Sequence, residues 1–271
     1  MADVKKKPVK VVTKPYLTGS VFDENSVKNI FKFFGMMVLF LLMAFIVSLM
    51  TGFGAKVLQI IFNSAVILLL LYICYTRGIN HGTEAVTRGE ILYQRQEKGV
   101  EMTPNEIRLS YHPAKGFVTA LLGMLLILIP AIILAFTAEK QMTTPGALPS
   151  FATTMARRSE IGDALQATYI ESKPPTAGEY LRVFVRACLM PVFRMLDTEN
   201  KSLVLTVERL SPLMLLFPVA AYGIGYMRGP KERARVHTRI EENRRIRKRK
   251  EEKAQKARMG TGSSKQPDQL N

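Results

Sequence analysis

Cysteine is scarce in this chain. There are two, Cys74 and Cys188, among 271 residues. Neither has a second cysteine or a histidine at metal-ligand spacing, so a thiolate metal framework and a dithiol redox pair are both excluded. A disulfide between them is not expected, because the chain order places them on opposite sides of a membrane. Also absent are a phosphate-binding glycine loop, a zincin motif, a nucleophile elbow and a Cys/His dyad. His81 and Glu84 share one helix face, but Gly82 between them weakens that helix and His112 has no fixed relation to them. They read as polar loop residues. No catalytic, cofactor-binding or metal-ligating residue is picked out, and no cofactor is expected.

Charge is missing where it matters most. No charged residue lies between Lys32 and Lys56, which leaves 23 uncharged residues, or between Lys56 and Arg77, which leaves 20. A hydrocarbon core about 30 Å thick is crossed by about 20 apolar residues in a helix. Backbone polar groups inside lipid must be satisfied within the segment, so both runs are expected to be helical. Residues 31–76 therefore read as a transmembrane hairpin around which the rest is organised. The run starts too late and is too long for a signal peptide.

Two more spans follow. Lys115 and Glu139 bracket 23 uncharged residues, of which 116–137 form span three. Gly116, Ala120 and Gly123 put small residues close to one face, which permits close helix approach. Pro130 should kink this span and free a carbonyl near Leu126. Span four covers residues 210–227, with Glu208 and Arg209 marking its outer end. Pro218 should bend it, and Ala221 and Gly225 form a small-xxx-small pair. No span contains Asp, Glu, Lys, Arg or His, and such residues usually mark ion and proton paths. Their absence argues against a proton-coupled transporter. Gln59, Asn63 and Ser64 in span two suit interhelical hydrogen bonds.

Between the spans lie polar segments. Residues 77–115 read as a short helix, a stop at Gly99, and a second helix opened by the capping box Thr103-Pro104-Asn105-Glu106. Residues 138–209 form the longest polar loop. Within it, residues 141–158 read as loop and 159–170 as a short helix. About residues 177–196 an amphipathic helix carries Leu181, Phe184, Val185, Leu189, Val192 and Phe193 on one face and Arg182, Arg186 and Arg194 elsewhere. Crossing the bilayer would bury Arg186 at about 2.5–3.5 kcal/mol, so this helix is expected to lie flat in the interface.

The net charge of +16 is uneven. Residues 228–271 hold 15 basic and 6 acidic groups, so the excess sits in a tail. Arg244, Arg245, Arg247, Lys248, Arg249 and Lys250 form its densest part. Residues 1–30 are a basic, proline-containing start expected to be disordered. Basic residues collect on the cytosolic side of short loops. An even number of spans then puts residues 1–30, 77–115 and 228–271 in the cytosol and residues 138–209 outside.

The expected fold class is an all-α integral membrane protein with four transmembrane helices, an outward-facing amphipathic helix and a basic cytosolic tail. The expected location is a bacterial plasma membrane. The expected function is a non-enzymatic accessory or scaffold subunit of a membrane complex. A permease-like subunit and a membrane enzyme acting on lipid or cell-envelope precursors stay open. Expected partners are anionic lipid headgroups at the cytosolic face and a protein partner or second copy. The tail also suits RNA or ribosome contact, although without interleaved aromatics it lacks a base-stacking mode.

Overall fold

A computed structural model describes residues 13–50, 56–138, 177–196 and 200–262, with side chains to residue 256. The expected short helix at 159–170 and the loop at 141–158 lie outside the described residues. Those that are described form eight helices and no strand. They are α1 (Ser26–Met50), α2 (Lys56–Glu97), α3 (Pro104–Arg108), α4 (Lys115–Thr137), α5 (Ala177–Cys188), α6 (Met190–Met195), α7 (Lys201–Met227) and α8 (Gly229–Gly262). Four of them, α1, α2, α4 and α7, are long and apolar enough to cross a membrane. Their outward faces are strongly apolar. Leu39 is 67 % exposed, Leu68 66 % and Phe136 89 %. Side chains of this kind face water only in scattered positions on soluble proteins, not as continuous belts.

The two helices of the hairpin are not each other's main partner. Helix α7 packs along α2 on one side and α4 on the other, while α1 leans on α4 and touches α2 little. The reason is small residues at the α2–α7 crossing. A Cβ added at Gly78 would collide with the Tyr222 carbonyl oxygen, and one at Gly225 with that of Tyr75. The two backbones are therefore in contact, which only glycine permits. Buried Leu215, Val219, Tyr222, Ala120, Met124 and Ile127 continue this core into α4.

Several boundaries differ from the sequence reading. Helix α2 runs unbroken for 42 residues, about 63 Å, so the separate short helix expected after residue 77 is its continuation. It ends at Gly99, whose φ of 71° is the left-handed conformation of a helix stop. The Thr103–Glu106 capping box is formed and opens α3, with the Thr103 N–H donating to the Glu106 carboxylate at 3.1 Å. Helix α7 starts at Lys201, nine residues before the expected span, because Asn200 caps it by accepting from the Leu203 N–H at 3.3 Å. Glu208 and Arg209 are therefore inside the helix rather than at its edge. Residues 177–196 form two helices broken at Leu189, ahead of Pro191, rather than one. Helices α4 and α7 both continue through their internal prolines, Pro130 and Pro218.

Residues 13–25 are not free chain. They run as an extended strap under the end of the bundle that carries α8. The Leu17 N–H donates to the Gly89 carbonyl at 3.2 Å, and the Gly19 N–H to the Tyr111 carbonyl at 2.9 Å. The basic residues at 5–10 lie outside the described residues, and the chain that follows is ordered because its amides find these carbonyl partners.

Candidate functional site

Three ion pairs bind the helices at the ends of the apolar segments, and a cleft opens between α1 and α2. The ion pairs come first because they set the frame. At the end bearing the strap, Lys115 Nζ sits 2.5 Å from an Asp23 carboxylate oxygen, with both side chains 3 % exposed. The ammonium also donates to the Arg108 carbonyl at 3.2 Å. Burial alone would raise the Asp23 pKa. Hydrogen bonds from Lys115 and Ser26, together with the Lys115 charge, outweigh it and hold the carboxyl below its ordinary value of 3.8. The α1 start is thereby fixed to the α4 start.

The second ion pair fixes α8 to the part of α2 beyond residue 77. Arg233 donates through both Nε and Nη2 to Glu90 Oε2 at 2.9 Å, while His237 Nε2 lies 2.8 Å from Glu90 Oε1. The carboxylate is nearly enclosed, so two partners are needed to offset its desolvation. The helices meet closely here because Gly229 rests on the backbone of Gly82.

The third lies at the opposite end of the bundle. Glu208, 1 % exposed, receives Arg186 through Nη2 at 2.6 Å and Nε at 2.7 Å, and forms an ion pair with Arg182, whose Nε lies 3.1 Å away without hydrogen-bond alignment. Arg186 also stacks over the Phe193 ring. So α5 is held against α7 by two of the arginines that the sequence placed off the apolar face. Arg194 Nε is buried and has no hydrogen-bond partner among the described residues.

The small residues lie at helix contacts. Gly116 faces the Tyr226 ring of α7, and Gly123 faces the Ile30 carbonyl and Phe33 of α1. Ala120 between them is fully buried, and Ala221 packs at the edge of the core. In contrast, the tail residues Arg244, Arg245, Arg247, Lys248, Arg249 and Lys250 are all exposed on α8.

Between α1 and α2, which touch through a few side chains rather than along their backbones, runs a narrow cleft with α7 beneath it. One end is polar, a space of about 420 Å³ lined by Asn29, Lys32, Phe33, Met36, Arg77, Asn80, His81, Glu84 and Tyr222. His81 Nδ1 lies 2.8 Å from the Tyr222 hydroxyl, and Asn29 Nδ2 lies 3.2 Å from His81 Nε2. With the Asn29 amide donating to Nε2, the neutral tautomer carries its proton on Nδ1 and donates it to Tyr222. Burial lowers the His81 pKa below its ordinary value of 6.5, with Glu84 and Asp23 opposing and Lys115 and Arg88 assisting. Lys32 and Arg77 are exposed at this mouth and make no hydrogen bond or ion pair with a described residue. Further along the same cleft is an apolar space of about 240 Å³. Met37, Phe40, Leu41 and Ala44 wall it on α1, with Val66, Ile67, Leu70 and Leu71 on α2, Met214, Leu215 and Pro218 below, and Leu189, Pro191 and Val192 closing the far end.

Sequence reasoning missed the acidic centres of all three ion pairs and the cleft. Asp23, Glu90 and Glu208 are single carboxylates with no local signature. Asp23 has Glu24 beside it and Glu90 lies in a polar segment with Arg88 and Arg95, so only Glu208, at the edge of an apolar run, stood out at all. Comparison with protein-family models, with curated proteins and with solved structures finds no match for this chain.

Proposed function

We propose that this chain is a multi-pass protein of a bacterial plasma membrane, with both termini cytosolic, and that it serves as a non-enzymatic scaffold subunit. The observation that carries this reading is the arm formed by α8. Its first turns are clamped to α2 through Glu90, Arg233 and His237, and beyond Ile240 it continues to Gly262, with its basic side chains from Arg244 to Lys256 exposed. Those 22 further residues extend about 33 Å from the clamp. A rigidly held cationic arm is suited to an acidic protein surface, and rigidity lowers the entropy cost of docking. The proposed orientation follows from the same charge, because basic residues favour the cytosolic side.

The carboxylates near the apolar segments support the non-enzymatic side of the reading. The carboxylates of Asp23, Glu90 and Glu208 are buried and each is paired with a cation, which suits structural anions rather than acids or bases. The test is affinity purification of the detergent-solubilised chain, intact and with Arg244, Arg245, Arg247, Lys248, Arg249 and Lys250 changed to Gln. The intact chain retains a defined protein partner in fixed stoichiometry, and the neutralised arm loses it. Purification of the intact chain alone, from gentle detergent and after cross-linking, would refute the scaffold reading.

A further inference from the structure

We infer that the α1–α2 cleft is a binding site for one anionic phospholipid of the cytosolic leaflet. Its phosphate sits between Lys32 and Arg77, and one acyl chain lies along α7 in the apolar part of the cleft. The inference rests on the membrane-spanning reading but not on the scaffold role.

The first argument is the register of the walls. On α1 the lining runs through positions 29, 32, 33 and 36 into 37, 40, 41 and 44, which is one continuous helical stripe. On α2, positions 84, 81, 80 and 77 lead likewise towards 71, 70, 67 and 66. The polar and apolar spaces are thus two ends of one cleft. Their order, charged mouth then hydrocarbon interior, is the order of a lipid.

Second, the mouth is cationic at headgroup depth. Lys32 immediately precedes the first apolar segment, Arg77 immediately follows the second, and neither is paired with a described residue. Glu84 is the acidic residue of this lining, so the cations exceed it.

Third, the cleft is too narrow for a helix. Side chains of α1 and α2 meet at three depths: Asn29 with His81 at 3.2 Å, Met37 Sδ with Cys74 Sγ at 3.9 Å, and Ser48 Oγ with Asn63 Oδ1 at 2.8 Å. A third helix would need axis separations of about 8–10 Å from each wall. Met37 and Cys74 are fully buried, so their contact is floor, and a slender chain passes above it. An acyl chain restores the dispersion contacts that an empty apolar space of about 240 Å³ would forgo.

The test uses the full chain in nanodiscs containing equal phosphatidylglycerol and phosphatidylcholine. Retained lipid is counted by native mass spectrometry after release into detergent. The protein is expected to keep one phosphatidylglycerol in preference to phosphatidylcholine by about thirtyfold, which is about 2 kcal/mol at ~1.4 kcal/mol per tenfold, for two cations of about 1 kcal/mol each. The Lys32→Gln, Arg77→Gln double variant brings the ratio near one. Both residues are exposed, so folding is retained, and thermal unfolding verifies it. Leu70→Trp, which fills the apolar end, lowers retention of both lipids. The Gln-substituted α8 arm leaves the ratio unchanged. A ratio near one in the unaltered protein overturns the inference. So does loss of preference in the arm variant with retention in the cleft variant, which would place the lipid on α8. Equal competition by glycerol phosphate would reduce the cleft to a free-anion site and also overturn it. A chain that fractionates as soluble would instead refute the membrane reading.

Discussion

Glu208→Gln tests whether the distal ion pair holds α5 onto α7. The substitution keeps the shape of the side chain and removes its charge. Two guanidiniums then face one neutral amide within 3.1 Å of where the carboxylate oxygen sat. Removing one partner of a buried pair costs about 3–5 kcal/mol, chiefly from the charge left behind. Arg186 is 31 % exposed, and both arginines make further interactions, so the lower end of that range applies, about 3 kcal/mol. At about 2–4 °C per kcal/mol, unfolding shifts down by roughly 6–12 °C. The assay is thiol-dye labelling during heating, because Cys74 and Cys188 are both free and Cys74 is buried. Arg186→Gln alone should cost less, since Glu208 keeps Arg182. The double variant should cost less than the sum of the two, a direct measure of coupling. A shift below about 2 °C for Glu208→Gln would refute the reasoning.

Three further outcomes follow from the same geometry. Gly225→Val drives a side chain into the Tyr75 backbone, and because both partners are main chain the helices must separate, so a loss of about 3 kcal/mol or more is expected in the same assay. Asp23→Asn leaves the Lys115 ammonium buried without its counter-ion, and a loss of about 3–5 kcal/mol is expected; Asp23→Asn with Lys115→Met should recover much of it. His81 has a folded pKa below its unfolded value of 6.5, so the unfolded chain binds its proton first. Stability is therefore lost as pH falls below 6.5, and thermal unfolding of His81→Gln across this range should show a smaller slope.

How much was legible in the sequence varies with how local the determining physics is. The Thr103–Glu106 box and the Gly99 stop depend on residues a few positions apart, and both are present. The start of α7 was misplaced because Glu208 and Arg209 looked like a charged boundary. A carboxylate ends an apolar helix only if it needs water, and here Arg182 and Arg186 replace the water. The same substitution explains why the arginines of α5 do not mark a solvent face. Residues 13–25 looked like free chain because their order depends on carbonyls of Gly89, Arg108 and Tyr111, far away in sequence.

By itself, the sequence determined an all-helical fold with four long apolar helices, because the cost of burying charge restricts charge-free runs to apolar surroundings wherever the rest of the chain goes. Only the tertiary structure decided which helices pack together. The hairpin helices are adjacent in sequence, yet they pack little on each other, and α7 joins α2 to α4 because its glycines and those of α2 let two backbones touch. It also decided which charges are buried and where a cleft remains. Both depend on distances between residues far apart in the chain, and hydropathy and spacing carry no information about those distances.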